Sequence, residues 1–429
     1  MVSPAHFRAL SSNALSSKKR VVVLGTGWAS YSFVKTIDRS KFDVTVVSPR
    51  NYFLFTPLLA STTVGTLEFR SIIEPIRNLG FKDAGNFHLA HATTIDSENK
   101  LVECRSSVKQ NVKYSLPFDK LVLGVGCLSN TFNTPGVQEN AFFLKEIQDA
   151  QAIRNRIVSN FELALEPGLS HEEKKRLLHI VIVGGGPTGV EFGAELYDFL
   201  VQDVARLYQS EKNLVRVSLI EAQKILPAFD SKLQAFAEKK LKKREQYSLL
   251  QDQVINVTDE FVQLQSGSKI DCGLVVWSAG LAPRDITKAI DWAEKNKAGQ
   301  IVTDRKLNVF QKNATQVNPD VFAIGDCADV VKFSLPCTAQ VAERQGRHLA
   351  NGFNSGQVTD FSFTSLGMLA YIGGYQGLTD IPKVKFGGWL SWFVWRSAYL
   401  TRLGSWRLRL QVPLDWTKTL LYGRDTSKL

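Results

Sequence analysis

Two glycine-rich turns carry the clearest chemistry in the chain. Gly25-Thr26-Gly27-Trp28-Ala29-Ser30 follows the β-branched run 21–24, and a helical stretch through Ile37 leads to a second strand, 42–47. Gly184-Gly185-Gly186-Pro187-Thr188-Gly189 follows the apolar run 180–183 and opens a longer helical stretch. That stretch is succeeded by the strand 215–220, with Glu221 at its end. Strand, glycine turn, helix and strand in this order form a dinucleotide-binding βαβ unit. The glycines let backbone approach a pyrophosphate, whose charge then sits at the positive N-terminus of the helix.

The second turn fits the fingerprint fully, with Gly184, Gly186 and Gly189 at the three glycine positions. A carboxylate at Glu221 accepts hydrogen bonds from an adenosine ribose and repels a 2′-phosphate, which favours NADH over NADPH. The first turn departs from the pattern twice: Ser30 takes the third glycine position, and Ser48-Pro49-Arg50 stands where an acid would hold the ribose. A third element joins the two. The strand 321–324 ends in Gly325-Asp326, and an Asp at the carboxyl edge of a parallel strand is placed to hydrogen-bond the ribityl chain of a flavin. Shortly after, Pro336-Cys337-Thr338-Ala339-Gln340 opens a helical stretch with Thr338 as its N-cap. A helix N-terminus aimed at the N1/C2=O edge of a flavin stabilises the charge of the reduced ring.

These elements predict an α/β protein of two nested Rossmann-like dinucleotide-binding domains, a glutathione-reductase-like flavoprotein, followed by a C-terminal amphipathic membrane-anchoring segment. The expected limits are 19–150 and 300–355 for an FAD-binding domain, 151–299 for an NADH-binding domain, and 356–429 for membrane association and dimerisation. Residues 1–18 read as a mitochondrial transit peptide, being basic, rich in Ser and Ala, and free of acids.

Composition excludes several classes. With 429 residues, 44% hydrophobic and 22% charged, the chain is neither disordered, collagen-like nor a disulfide scaffold. Its five cysteines form no CxxC, which argues for a reducing compartment and against a structural metal site. The net charge of +11 resides wholly in residues 1–20 and 383–429, so the 362 residues between are formally neutral and no nucleic-acid partner is expected. Five of the eight tryptophans fall in the last 47 residues. At 100° per residue Trp389, Trp392, Phe393, Tyr399, Leu400 and Leu403 share one helical face, with Ser391, Thr401 and Arg402 opposite. Arg396 interrupts that face and must snorkel or find a partner. Such a helix lies in a membrane interface, packs on the core, or pairs two copies of the chain.

The combined motifs resemble those of the type-II (alternative, rotenone-insensitive) NADH:ubiquinone oxidoreductases, most closely the fungal mitochondrial type, from about Lys19 to Asp425. The blocks that carry the resemblance are 25–28, 48–59, 143–147, 184–191, 322–326, 338–342 and 387–396. It implies that Gly25, Gly27, Trp28, Ser48, Pro49, Arg50, Thr56, Pro57, Gly325 and Asp326 line FAD. It likewise implies that Gly184, Gly186, Thr188, Gly189, Glu221, Ala279 and Gly280 line NADH. The Ala339-Gln340 pair would lie at the flavin–quinone end, with Gln340 in the quinone site. Glu191 would affect electron and proton passage, or be a first-turn glutamate held by the helix dipole. The resemblance further implies ubiquinone as oxidant and a peripheral position on the mitochondrial inner membrane. A homodimer is expected through the C-terminal segment, and with no spanning helix and no proton path, no proton pumping is expected. No D-x-D-x-D-G loop appears, so no calcium is expected.

Two other readings share this fold: a sulfide:quinone oxidoreductase, and a flavoprotein resembling apoptosis-inducing factor that binds partners in response to NADH. The first needs a redox cysteine pair over the flavin, for which Cys127, Cys327 and Cys337 are the candidates. Disulfide reductases place a CxxxxC soon after the first glycine turn, and residues 51–61 hold no cysteine. Replacing Cys127 and Cys337 together by Ser is expected to leave NADH:quinone turnover standing; its complete loss would favour thiol chemistry.

Overall fold

The computed structural model describes residues 18–83, 85–313 and 315–427, so most of the expected transit peptide lies outside the described residues. Five helices position the functional residues: α1 (Trp28–Thr36), α2 (Pro187–Phe199), α3 (Ala339–Ser355), α4 (Trp389–Arg402) and α5 (Trp406–Tyr422). The chain forms two compact units. One comprises the described chain up to Leu54, Glu74–Leu128 and Ala282–Thr364; the other comprises Phe55–Ile73, Ser129–Leu281 and the described chain from Ser365. The divisions thus fall at 128/129 and 281/282, where the sequence pattern placed them at 150/151 and 299/300. Phe55–Ile73 joins the second unit, where Ser61 and Thr66 hydrogen-bond Glu195 of α2.

The first unit is built on a ten-stranded sheet. At its centre Val317–Ala323, Lys120–Leu123, Lys19–Leu24, Phe42–Ser48 and Phe87–Asp96 run parallel, each hydrogen-bonded to the next. The runs 21–24, 44–47, 121–123 and 321–323 are almost wholly buried and nearly continuously apolar, as parallel strands covered on both faces must be. Register does the positioning. Leu24 pairs with Leu123, and Leu123 with Ala323, so Gly25 and Gly325-Asp326 leave the sheet at one edge. Helices α1 and α3 pack together closely enough that a Cβ on Gly346 would lie 2.1 Å from the Ala29 carbonyl oxygen.

The second unit repeats the plan on a five-stranded parallel sheet in the order 142–143, 274–277, 179–183, 216–221, 247–251. Val183 pairs with both Trp277 and Ile220, which brings Gly184, Ser278 and Glu221 to one edge. The expected long helix after this turn is α2 continued by a π-helical turn, Leu200–Val204. An antiparallel sheet of Met368–Gly373, Gln376–Ile381 and Val384–Gly388 precedes α4. The C-terminal tail is tied down by two buried arginines: Arg424 binds Asp203 at 2.8 Å, and Arg154 binds Asp425 at 3.2 Å.

Gly346→Ala is expected to destabilise the protein by about 2–3 kcal/mol, because the methyl group has no room between α1 and α3. Exposed Gly85, with nothing within 4 Å of its added Cβ, should tolerate Ala within about 0.5 kcal/mol. Denaturant unfolding of the two variants checks the contrast.

Candidate functional site

Each glycine turn is closed by contacts that admit no side chain. Gly25 has φ +100° and its Cβ would lie 2.4 Å from the Gly124 carbonyl oxygen. Gly27 caps α1 in extended conformation with no side-chain hydrogen bond, and a Cβ there would meet only Arg50 Nη2, at 4.0 Å. The amides of the first turn of α1 are therefore left to an anion. Ser30, the departure at the third glycine position, is buried, and its hydroxyl approaches the Leu24 and Gly124 carbonyl oxygens at 3.2 and 3.3 Å. The space is returned elsewhere, since a Cβ on Gly124 would lie 2.2 Å from Ser30 Oγ.

Ser48-Pro49-Arg50 also has a structural account. Arg50 Nε donates to Thr26 Oγ1 at 3.2 Å and its amide to Ser48 Oγ at 3.3 Å. Thr26 Oγ1 donates in turn to the Tyr52 carbonyl at 2.9 Å. A guanidinium is thereby fixed beside the turn, where it adds to the positive helix terminus. Pro49 is exposed, and Trp28 packs edge-on against Phe53 at 5.0 Å.

At the same sheet edge Gly325 adopts φ +73°, and its amide donates to Gln345 Oε1 at 2.7 Å. Asp326 Oδ2 accepts from Cys127 Sγ at 3.3 Å. Thr338 Oγ1 caps α3 by accepting from the Val341 amide at 3.3 Å, with Ala339 and Gln340 half-buried at the helix start. All five cysteines are free thiols. Burial pushes Cys104 and Cys272 up to about 12 and Cys327 up to about 11, so these three are inert at neutral pH.

In the second unit Gly184 has φ +108°, and a Cβ on Gly189 would lie 2.0 Å from the Gly184 oxygen. Gly186 caps α2 without a side-chain bond, and the space beside it is open to 4 Å. Glu221 accepts from the Gly185 amide at 2.6 Å and the Gln223 amide at 2.9 Å, so it also holds the turn together. Thr188 is exposed. Ser278 Oγ lies 3.2 Å from the Gly184 carbonyl oxygen, and the Ala279 amide would be 2.9 Å from a Cβ at Gly184. Gly280, with φ +65°, lies against Phe132 and Asn130. Of the residues expected to line FAD, Thr56 and Pro57 fall in this unit and the others in the first.

Glu191 is not a first-turn glutamate. It lies one turn further along α2 and is 9% exposed. Below it on the same helix stand Glu195 and Asp198, each 4% exposed. Glu195 accepts from Ser61 Oγ and Thr66 Oγ1, both at 2.7 Å. Asp198 accepts from the Tyr371 hydroxyl and, at 2.9 Å, from the Gly374 amide. The nearest guanidinium, Arg424, binds Asp203 at 2.8 Å and stands 4.0 Å from Glu195. Burial pushes the Glu191 carboxyl up to about 8, against the pull of the Tyr371 amide at 3.3 Å and with Glu195 adding to the rise. Burial likewise raises Glu195, and raises Tyr371 and Tyr399 well above the ordinary phenol. Glu195 and Asp198 went unread in the sequence, although acids at i, i+4 and i+7 in an otherwise apolar helix are a visible signal.

The C-terminal helices correct the expected face. Ser391, assigned to the polar side, is buried and hydrogen-bonds Thr379. Trp389 and Phe393 project outward at 66% and 52% exposure, while Leu403 is buried and Trp392, Tyr399 and Leu400 are half-buried. Helix α5 buries Leu408 and Val412 and exposes Trp406, Leu410, Leu414, Leu420, Leu421 and Tyr422. No helix among the described residues is long and apolar enough to cross a membrane. Nor, among them, is any group of His, Cys, Asp or Glu placed to hold a metal ion.

Fold and turns together define a protein with two dinucleotide-binding units, one inserted in the other. Residues 19–346 match the pyridine nucleotide-disulphide oxidoreductase family, and residues 366–425 match the NDH2 C-terminal domain. The mitochondrial internal alternative NAD(P)H-ubiquinone oxidoreductase A1 of Arabidopsis thaliana is 42% identical over 100% of this chain and 89% of its own. A structure of NDH2 from Plasmodium falciparum, in complex with NADH, superposes with TM-score 0.89 at 30% identity, covering 96% of this chain and 100% of that one. The sulfide:quinone oxidoreductase of Aquifex aeolicus shares the fold, with TM-score 0.70 at 16% identity over 95% and 96% of the two chains. The chain belongs to the pyridine nucleotide-disulphide oxidoreductases and, among them, to the alternative NAD(P)H-ubiquinone oxidoreductases.

Unfolded, the Glu191 carboxyl titrates near 4.5; folded, it keeps its proton to about 8. The folded state therefore binds the extra proton between these values, and stability falls as pH rises through that window. Glu191→Gln is expected to match the wild type near pH 4.5 and to exceed it increasingly toward pH 9, by a few kcal/mol. Thermal unfolding of both proteins across that range checks it.

Proposed function

We propose that this chain is an FAD-dependent oxidoreductase that takes a hydride from NADH and passes two electrons to ubiquinone at a membrane surface, without pumping protons. Two uncapped glycine turns in one chain carry this reading, supported by relatives matched over almost its whole length. The residues present fit both cofactors. Around FAD, the α1 N-terminus with Gly25, Gly27 and Arg50 would hold the pyrophosphate. Trp28, Ser48, Pro49, Thr56 and Pro57 would surround it, and Asp326 beyond Gly325 would hold the ribityl chain. Around NADH, Gly184, Gly186, Thr188 and Gly189 would hold the pyrophosphate, Glu221 the ribose, and Ala279 and Gly280 the nicotinamide half. FAD, when bound, supplies the chemistry that couples a two-electron hydride donor to a quinone.

NADH, one proton and a quinone give NAD⁺ and a quinol, so each turnover consumes a proton beyond the hydride. Glu191 holds a proton at neutral pH in a water-poor interior, which suits it to this supply. Gln340, at the start of α3, is the residue we assign to the quinone site, and Ala339 beside it to the flavin. The outward apolar face of α4 and α5 seats the enzyme peripherally on the mitochondrial inner membrane, where an isoprenoid quinone is dissolved. The same helices pair two copies of the chain.

Purified protein should be yellow and should oxidise NADH with a soluble ubiquinone analogue faster than NADPH. Glu221→Gln is expected to raise KM for NADH about tenfold, the loss of one charge-assisted hydrogen bond, and to narrow the gap to NADPH. A wild-type preference for NADPH would contradict the role of Glu221.

A further inference from the structure

Arg396, which interrupts the aromatic face of α4, finds no anionic partner. Its guanidinium carbon lies 4.2 Å from the ring centre of Trp392, on the same helix, and 4.2 Å from that of Trp416 on α5. Among the described residues it makes no hydrogen bond or ion pair. Its Nε is buried without a partner, whereas the residue as a whole is half-buried. The nearest acids offer little. Glu195 is engaged by Ser61, Thr66 and Arg424. Asp415, the sole acid in residues 389–422, accepts from the Glu68 amide at 3.1 Å.

Two indole faces compensate a desolvated guanidinium only in part, because they offer it no hydrogen-bond acceptor. They also fix its plane, so that the rotamer freedom usually lost on binding is already spent. What remains is a preorganised fork of N–H donors, whose geometry matches two oxygens of a phosphate. Its surroundings state where the phosphate comes from. Trp389, Leu390, Phe393 and Leu420 are each more than half exposed. The two helices carry five Lys and Arg against one acid.

We infer that Arg396, clamped between Trp392 and Trp416, is a binding site for the phosphodiester headgroup of an anionic membrane lipid. The inference rests on the membrane-surface reading above and adds a specific headgroup contact to it. Apolar side chains around the clamp enter the acyl region while the guanidinium meets the phosphate at the interface. Arg402, Arg407, Arg409 and Lys418 act differently, as a diffuse field that attracts any anionic surface.

The test is sedimentation of the full, FAD-loaded chain with three vesicle preparations: phosphatidylcholine alone, phosphatidylcholine with phosphatidylglycerol, and phosphatidylcholine with oleate at matched surface charge. Arg396→Gln is expected to weaken binding to the phosphatidylglycerol vesicles at least tenfold. Loss of one diffuse charge costs roughly fivefold, and that smaller loss is expected on oleate vesicles. Arg396→Lys, which keeps the charge and loses the planar fork, should resemble Arg396→Gln on phosphatidylglycerol. Arg402→Gln should weaken binding about fivefold on both anionic surfaces. Retained FAD content and unfolding temperature show that each variant is folded. Equal losses for Arg396→Gln on phosphatidylglycerol and oleate, or full retention by Arg396→Lys, would overturn the headgroup site and leave the membrane reading intact. Failure of the wild type to bind any vesicle would remove both.

Discussion

The structure depends on one steric constraint: where its central parallel strands end, backbone must turn back on itself without a side chain. At Gly25, Gly184 and Gly189 an added Cβ would lie 2.0–2.9 Å from another backbone atom, closer than atoms can approach. Because these positions are glycine, α1 and α2 begin on turns that offer no capping side chain, and their first amides face outward together. An uncapped helix terminus open at a sheet edge is a ready-made site for an anion. Register supplies the rest, since the paired strands end level and deliver Asp326 in one unit and Glu221 in the other to the same edge as the turn.

Helix α2 serves two purposes. Its uncapped N-terminus is open to an anion, and its buried face presents Glu191, Glu195 and Asp198 to an interior whose closest guanidinium, Arg424, is already committed to Asp203. Carboxyl groups in such numbers cannot all ionise where water is scarce, because the desolvation cost exceeds what the available donors return. The protein resolves this by protonation of Glu191. A proton stored at neutral pH is useful to a reaction that consumes one per turnover. In the proposed reaction, the helix assigned to the reductant is also the helix that carries the proton.

Much of this was legible in the sequence, and the remainder was hidden for physical reasons. The strand–turn–helix order, the N-cap at Thr338 and Asp326 beyond its strand follow from local patterns, and the structure bears them out. Ser30 looked like a defect because its compensation, Gly124, lies 94 residues away and meets it only through the sheet. Glu195 and Asp198 escaped notice because acids on a helix ordinarily mark the solvated face, whereas here tertiary hydrogen bonds draw them inward. The same reversal occurs in α4, where Ser391 faces inward and Trp389 outward. A helical wheel finds the faces of a helix but not which of them meets protein. The assignment of Phe55–Ile73 to the second unit was likewise invisible, since it rests on contacts with residues more than a hundred positions away.

In the proposed function one flavin is reduced by a water-soluble donor and reoxidised by a quinone drawn from lipid. The most direct test is an anaerobic titration followed by absorbance. One equivalent of NADH should bleach the bound FAD, and one equivalent of a ubiquinone analogue should then restore its spectrum. A flavin that NADH leaves oxidised, or one that stays bleached when the quinone is added, would contradict it.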